Sequence, residues 1–390
     1  MRSLNLLRES LARRGRTLLG IGPMSVHCVD AAIELANSLR CPLMLIASRR
    51  QVETSALGRG YVNGWSTEEF AAYVREKDHG NYIVLCRDHS GPWQNDPEVR
   101  ERLGLAEAMS STKSSLTADM ESGIQIIHLD PSVDIHGQVY QDKILDRLFE
   151  LYEHCVEQAG RLKVELAIEV GAEEQSGQDQ DLKGFVRFLA KTAAFCAARK
   201  QPQPLFAVAQ TGMLVRETRN VGSFDVPFRQ NSNIPAEIQV PKVVEVCEGF
   251  GVHLKAHNAD YLSNEALSWF PKLGIHAANI APEFGVGETR HILRLCQELG
   301  LKQLEERFLE LAYASHKWEK WMLSESTATE REKAIIAGHY VFGTEAFQEC
   351  VAELRSACAK RGIDLDQSIK DALKIMMMRI LASFRIYEGV

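Results

Sequence analysis

The sequence predicts a (β/α)8 TIM barrel with a C-terminal helical extension, and three observations carry that prediction. Eight short apolar runs of strand length recur between residues 18 and 281, mostly about 40 residues apart, the length of one strand-loop-helix unit. Each run closes on a polar or charged residue, and stretches with a helical apolar period lie between the runs. An open dinucleotide-binding sheet would place GxGxxG after an early strand, whereas Gly20-Ile-Gly22 runs into Pro23 and lacks the third glycine.

The strands are expected at Leu18–Met24, Pro42–Ser48, Tyr82–His89, Ile124–Asp130, Val164–Val170, Leu205–Gln210, Val252–His257 and Ile275–Ala281. Between them, residues 28–39 place Val29, Ala32, Ile33, Ala36 and Leu39 on one helical face. Ser66-Thr-Glu-Glu69 has the form of a capping box opening a helix over 67–76, because the Ser and Glu side chains can each take a free N–H group. Apolar stripes mark further helices over 142–158 and 182–197. The barrel accounts for residues 1–300. The extension, 301–390, carries amphipathic stretches near 300–322, 345–360 and 366–385, with Thr344 and Asp364 as N-caps. Its Met376-Met-Met-Arg-Ile-Leu381 run reads as packing surface.

Composition narrows the function classes. The 390 residues carry 45 Lys+Arg against 52 Asp+Glu, a net charge of −7, with 45% hydrophobic and 25% charged residues, which is ordinary globular usage. No basic block is present to meet phosphate backbones, so nucleic acid is not an expected partner. The longest apolar runs, such as Pro42–Ala47 and Leu205–Ala209, fall far short of the roughly 20 residues of a membrane span, so no membrane partner is expected either. The first residues lack the apolar core of a secretory signal, and the nine cysteines show no CxxC or disulfide spacing. They read as reduced thiols of a cytoplasmic protein, and an oligomer is expected.

Catalytic groups of such barrels collect at the C-terminal ends of the strands. Here those ends offer Ser48; Arg87-Asp88-His89; His128-Leu-Asp130; Glu169, with Glu173 and Glu174 beyond it as solvated loop charges; Gln210-Thr-Gly212; His257-Asn-Ala-Asp260; and Glu283-Phe-Gly285-Val-Gly287. His89 and His257 can share a divalent metal such as zinc or manganese, with an oxygen from Glu169 or Gln210 completing a site open to substrate. Asp88 is then placed to act as general acid or base, with Asp130 and Glu169 as further catalytic carboxylates. His128 and Asp130 alternate on one strand, so both can face inward, as a structural pair or as catalytic groups. Ser48, Asn258 and Asp260 are the candidate substrate-binding residues. His27, His136, His253 and His276 read as structural or surface histidines. A phosphate, if present, would use backbone N–H groups of the Gly285-Val-Gly287 loop before a helix starting near Glu288, with charge from Arg49, Arg50, Arg216 or Arg219.

At these residues the chain resembles the D-tagatose-1,6-bisphosphate aldolase subunits of the GatZ/KbaZ type. The likeness is carried by Asp88-His89-Ser-Gly-Pro92, Ile127-His128-Leu-Asp130 and Ala256-His257-Asn-Ala-Asp260-Tyr261, together with Gly60-Tyr-Val-Asn-Gly-Trp-Ser-Thr-Glu-Glu-Phe70 and Trp318-Glu-Lys-Trp321. The resemblance implies a barrel akin to metal-dependent class II aldolases, with Asp88 as acid/base and His89 and His257 as zinc ligands. Where those aldolases have a further zinc-binding His, after strand six, this sequence offers Gln210. The resemblance also implies a subunit that supports a separate catalytic aldolase subunit in carbohydrate metabolism. The alternative it implies is an autonomous aldolase or 4-epimerase acting on a ketose or ketose phosphate.

Overall fold

The computed structural model describes residues 2–171, 180–224 and 235–387. Glu173 and Glu174 lie outside them. Eight parallel strands close into a barrel: β1 (Leu18–Ile21), β2 (Leu43–Ser48), β3 (Ile83–Ser90), β4 (Ile126–Leu129), β5 (Ala167–Val170), β6 (Phe206–Val208), β9 (His253–Ala256) and β10 (Ala277–Ile280). Each lies within or across an expected run. β1 pairs with β10 from Leu18↔Ala277 to Ile21↔Ile280, which closes the ring. A short antiparallel hairpin, β7 (Val215–Arg216) with β8 (Arg219–Asn220), rises from the loop after β6.

Strand alternation divides the buried residues into two sets. Leu19, Leu45, Leu85, Ile127, Ile168, Ala207, Leu254 and Ala278 face outward and pack against the helices. Leu18, Met44, Ile46, Val84, Cys86, Ile126, Ala167, Phe206 and Ala277 face inward, where Leu4, Leu7 and Leu11 of an N-terminal helix, α1 (Arg2–Leu11), join them as an apolar plug. Two residues further along β3, β4, β5 and β10, the inward positions turn polar: Asp88, His128, Glu169 and Asn279 follow Cys86, Ile126, Ala167 and Ala277. The barrel is thus dry at its N-terminal end and polar at its mouth.

The helical layer comprises α2 (Val26–Leu39), α3 (Thr67–Lys77), α4 (Asp96–Arg100), α5 (Leu105–Ser122), α6 (Gln141–Leu162), α7 (Leu182–Arg199), α8 (Ala236–Gly249), α9 (Asn264–Leu273) and α10 (Pro282–Glu298). The Ser66–Glu69 capping box is formed with both reciprocal bonds. Helix α5 has no clear apolar period; it buries Thr112, Ser115 and Asp119 beside Met109, Leu116 and Met120. Asp119 receives the Arg87 guanidinium at 2.6 and 2.8 Å, so this outward residue of β3 ties strand to helix.

Beyond α10 the described residues form α11 (Lys302–Ala314), α12 (Glu330–Ala337), α13 (Glu345–Ala359) and α14 (Leu365–Ser383). Thr344 and Asp364 cap α13 and α14 as the sequence suggests. Met377 is fully buried within the methionine run. One expectation is overturned here. Gly285 and Gly287 do not form a loop but lie inside α10, which starts at Pro282 rather than near Glu288. A Cβ on Gly285 would meet the His339 ring at 2.7 Å, so the missing side chain admits the extension against α10. No helix among the described residues is long and apolar enough to cross a membrane. All nine cysteines are free and buried.

Candidate metal centre

Successive residues of a strand face opposite sides, so Asp88 and His89 could not both reach the mouth from a regular β3. The ladder resolves this. Arg87 pairs with Ile127 and Ser90 with Leu129, so β3 spends three steps where β4 spends two. His89 takes the left-handed conformation, φ +45°. The irregularity re-aims the imidazole toward the barrel axis, as β-bulges beside functional sites do.

Three imidazoles then surround one carboxylate. His128 Nδ1 lies 3.3 Å from Asp88 Oδ1, His257 Nε2 lies 3.9 Å from the same oxygen, and His89 Nε2 lies 3.9 Å from Asp88 Oδ2. The ring centroids are 5.0 to 5.2 Å apart in all three pairs. One ligand atom from each of Asp88, His89, His128 and His257 falls within 4.8 Å of all the others.

His89 is held from behind, His257 is held at the nitrogen that also faces Asp88, and His128 is held by packing. His89 Nδ1 meets Asp130 Oδ2 at 2.7 Å, and Asp130 is fixed in turn by the Ser132 hydroxyl. His257 Nε2 lies 3.1 Å from Asn279 Nδ2 and 3.2 Å from Glu169 Oε1. The other Glu169 oxygen accepts from Lys255 Nζ at 2.7 Å, an ion pair with both side chains about 1% exposed. His128 packs against Gly171, where a Cβ would approach its Nε2 to 2.6 Å.

The electrostatics follow from burial and partners. Burial works to raise the Asp88 carboxyl, but the imidazoles of His89, His257 and His128 outweigh it and hold the group well below the usual carboxylate range. Asp130 and Glu169 are likewise brought to about 2 against the burial penalty, Asp130 mainly by His89 and Glu169 mainly by Lys255. Burial would lower His89, yet Asp88, Asp130 and Glu169 lift it to about 9. Three buried carboxylates therefore face the Lys255 ammonium and a His89 imidazolium; a cation that displaced the His89 proton would meet two negative charges. A divalent cation matches that charge, and three imidazoles with a carboxylate form a donor set suited to zinc.

The predicted residues are placed as follows. Asp88, His89 and His257 come together, with Asp130 behind His89 and Glu169 against the His257 nitrogen that faces Asp88. The third imidazole is His128, from β4. Gln210 is buried just past β6, where its backbone N–H donates to the Gln180 side chain. Ser48 ends β2, with its backbone N–H bound to the Gln51 side chain at 2.9 Å. Asn258 adopts φ +61°, and its carbonyl accepts from Asn220. Asp260 Oδ1 accepts the N–H groups of Ala281 and Glu283, both at 2.9 Å, and so occupies the start of α10.

The arginines proposed for a phosphate are largely engaged by acids. Arg49 is buried against Glu53 and Glu98, Arg50 binds Asp96, and Arg219 binds Glu217. Of the four histidines expected to be structural, His27 lies between Glu288 and Asp366 and His136 Nε2 donates to the Leu103 carbonyl, which fits such roles. Lys255 and Asn279 were not singled out from sequence. Their signal was strand parity, since Lys255 lies two residues before His257 and Asn279 two after Ala277.

No protein-family model matches the chain, and no curated protein matches it. Solved structures do. A Sinorhizobium meliloti 1021 protein described as a probable tagatose 6 phosphate kinase aligns with a TM-score of 0.74 at 17% identity, over 94% of this chain and 100% of that one. The fructuronate-tagaturonate epimerase UxaE of Cohnella laeviribosi aligns with a TM-score of 0.57 at 11% identity, over 95% and 81%. The fructose-bisphosphate aldolase Fba of Campylobacter jejuni aligns with a TM-score of 0.53 at 12% identity, over 97% and 93%. At these identities the likeness is one of fold, and the fold is a (β/α)8 TIM barrel.

Proposed function

We propose that this chain is a divalent-cation-dependent enzyme that cleaves or epimerises a ketose or a ketose derivative. The observation that carries the reading is the convergence of His89, His128 and His257 on Asp88 at the barrel mouth. The three imidazoles would hold the cation beside Asp88, and a cation there would supply a Lewis acid to polarise a carbonyl and lower the cost of negative charge on oxygen.

The chain's own groups do the rest. Asp130 receives the Nδ1 side of His89, so Nε2 is left to face the cluster. Lys255 keeps Glu169 ionised with Oε2 committed and Oε1 toward His257. Asp88, which is less deeply buried than Glu169, is the anionic group placed to take a proton from a substrate hydroxyl. Retro-aldol cleavage breaks C3–C4 of a ketose while the O4 proton moves to such a base. Re-addition to the opposite face of the aldehyde reforms that bond and returns the proton, which inverts C4 with no redox partner. The fold shared with an aldolase and a sugar-acid epimerase supports this chemistry, and so does the resemblance of the Asp88-His89 and His257 motifs to class II aldolases.

The GatZ/KbaZ resemblance supports a second reading, a subunit that assists a catalytic aldolase partner. A complete four-residue cluster favours turnover by this chain itself. The test is to strip the purified protein with a chelator and assay fructose, tagatose, their 6-phosphates and 1,6-bisphosphates, and fructuronate by NMR, before and after adding Zn2+ or Mn2+. Cleavage or C4 inversion of at least one substrate, lost on stripping and restored by the cation, is expected. Bound cation with no turnover of any of them would overturn the reading and favour the partner-subunit role.

A further inference from the structure

The loop that follows His257 at the end of β9 is bound by groups from other elements. Asn258 and Tyr261 both sit at φ +61°, a conformation that side-chain-bearing residues adopt at a cost. At its centre two carboxylates come together. Asp260 accepts the Glu283 N–H, and Glu283 Oε2 accepts the Tyr261 N–H at 2.7 Å. Burial first, and then the neighbouring Glu283, push Asp260 up to about 7.

The group that offsets this pair comes from the extension. Arg379, on α14, donates from Nη2 to Glu283 Oε1 at 2.6 Å. Its Nη1 donates to the Leu262 carbonyl at 3.1 Å and to Asn264 Oδ1 at 3.0 Å. One guanidinium therefore clasps the loop after β9, the first residue of α9 and the first turn of α10. Among the described residues, Arg379 is the only cation in an ion pair with Glu283.

We infer that Arg379 is a positioning residue for the cluster at the barrel mouth, and that the C-terminal extension completes the site by fixing the loop that carries His257. Without Arg379, Glu283 keeps its backbone contacts but loses its counter-charge beside Asp260, and Leu262 and Asn264 lose their donor. The loop then relaxes and His257 leaves the distance at which it shares a ligand position with His89 and His128. Lysine offers a point charge instead of a planar fork and replaces only part of the clasp.

The inference rests on the cation-site reading and is tested separately from it. Zn2+ affinity is measured by competition with a chromophoric chelator for the parent, Arg379→Met, Arg379→Lys and Lys374→Met. Lys374 lies on the same helix and binds Glu34 and Asp371, away from the loop. Arg379→Met is expected to bind Zn2+ about tenfold more weakly, at the lower end for loss of an outer-shell partner. Arg379→Lys should fall between, and Lys374→Met should match the parent. Zn2+ affinity of Arg379→Met within twofold of a zinc-binding parent overturns the inference. Hydrogen exchange over residues 257–264, without metal, provides the independent arm. Faster exchange in Arg379→Met is expected whether or not the parent takes zinc, and unchanged exchange overturns the clasp. A parent that takes no zinc overturns the cation-site reading and, with it, the role of Arg379 in tuning that site.

Discussion

His128 Nδ1 lies 3.3 Å from Asp88 Oδ1, and this contact joins the ends of β3 and β4 into one centre. It supplies the third imidazole that the loop after β6 does not. His128→Ala is therefore expected to weaken zinc binding more than about a hundredfold, since even outer-shell losses cost 10–100-fold. Gln210→Ala should have a far smaller effect. Zinc titrations of the two variants check the assignment, and equal losses would count against it.

Gly171 gives His128 its place. A Cβ there would lie 2.6 Å from Nε2 and 3.4 Å from Cε1, which forces the ring to move. Gly171→Ala should cost about 1–3 kcal/mol through overpacking and lower cation affinity at the same time. Urea denaturation alongside a zinc titration would show both changes, and an unaltered variant would mean that the ring has room to spare.

The Lys255–Glu169 pair lies between the apolar plug and the cluster. Removing one partner of a buried pair strands the other charge, so Lys255→Met is expected to destabilise the fold by about 3–5 kcal/mol. The double change Lys255→Met with Glu169→Leu should recover much of that loss, though not the chemistry. Two independent losses that simply add would show that the pair is not coupled.

Much of this centre could be read from the sequence where the cause is local. The Ser66–Glu69 capping box, the eight apolar runs and the polar strand ends at Asp88, His89 and His257 each depend on neighbouring residues. The third imidazole does not. His128 is 39 residues beyond His89 in the chain, and the pairing of β4 beside β3 sets the two rings 5.1 Å apart. The added residue in β3 is equally silent, because its evidence is the register against β4. Helix α5 was not foreseen because its buried face uses Thr112, Ser115 and Asp119, which gives no apolar period. Gly285 and Gly287 suggested a phosphate loop. Their spacing instead serves close approach by the extension, with Met376 against Gly287 and His339 against Gly285.

The extension meets the barrel again at His27, which contacts Glu288 Oε1 at 2.8 Å and Asp366 Oδ1 at 3.0 Å. Burial opposes its charge, but Glu288 and Asp366 prevail and raise it from 6.5 to about 9. A raised histidine contributes its stability in full below pH 6.5 and loses it as pH climbs through 9. The stability gap between the parent and His27→Gln, measured by urea denaturation, should therefore be largest near pH 6, on the order of 2 kcal/mol, and close by pH 10. A gap that stays constant over that range would contradict the assignment.

The measurement that bears most directly on the central claim is zinc content with ketose turnover, taken on the same samples of the parent and of the His89→Ala/His257→Ala double variant. The account predicts one cation per chain and cation-dependent cleavage or epimerisation in the parent, with both lost in the variant. A parent that holds no divalent ion after zinc is supplied, or a variant that keeps both cation and turnover, would contradict it.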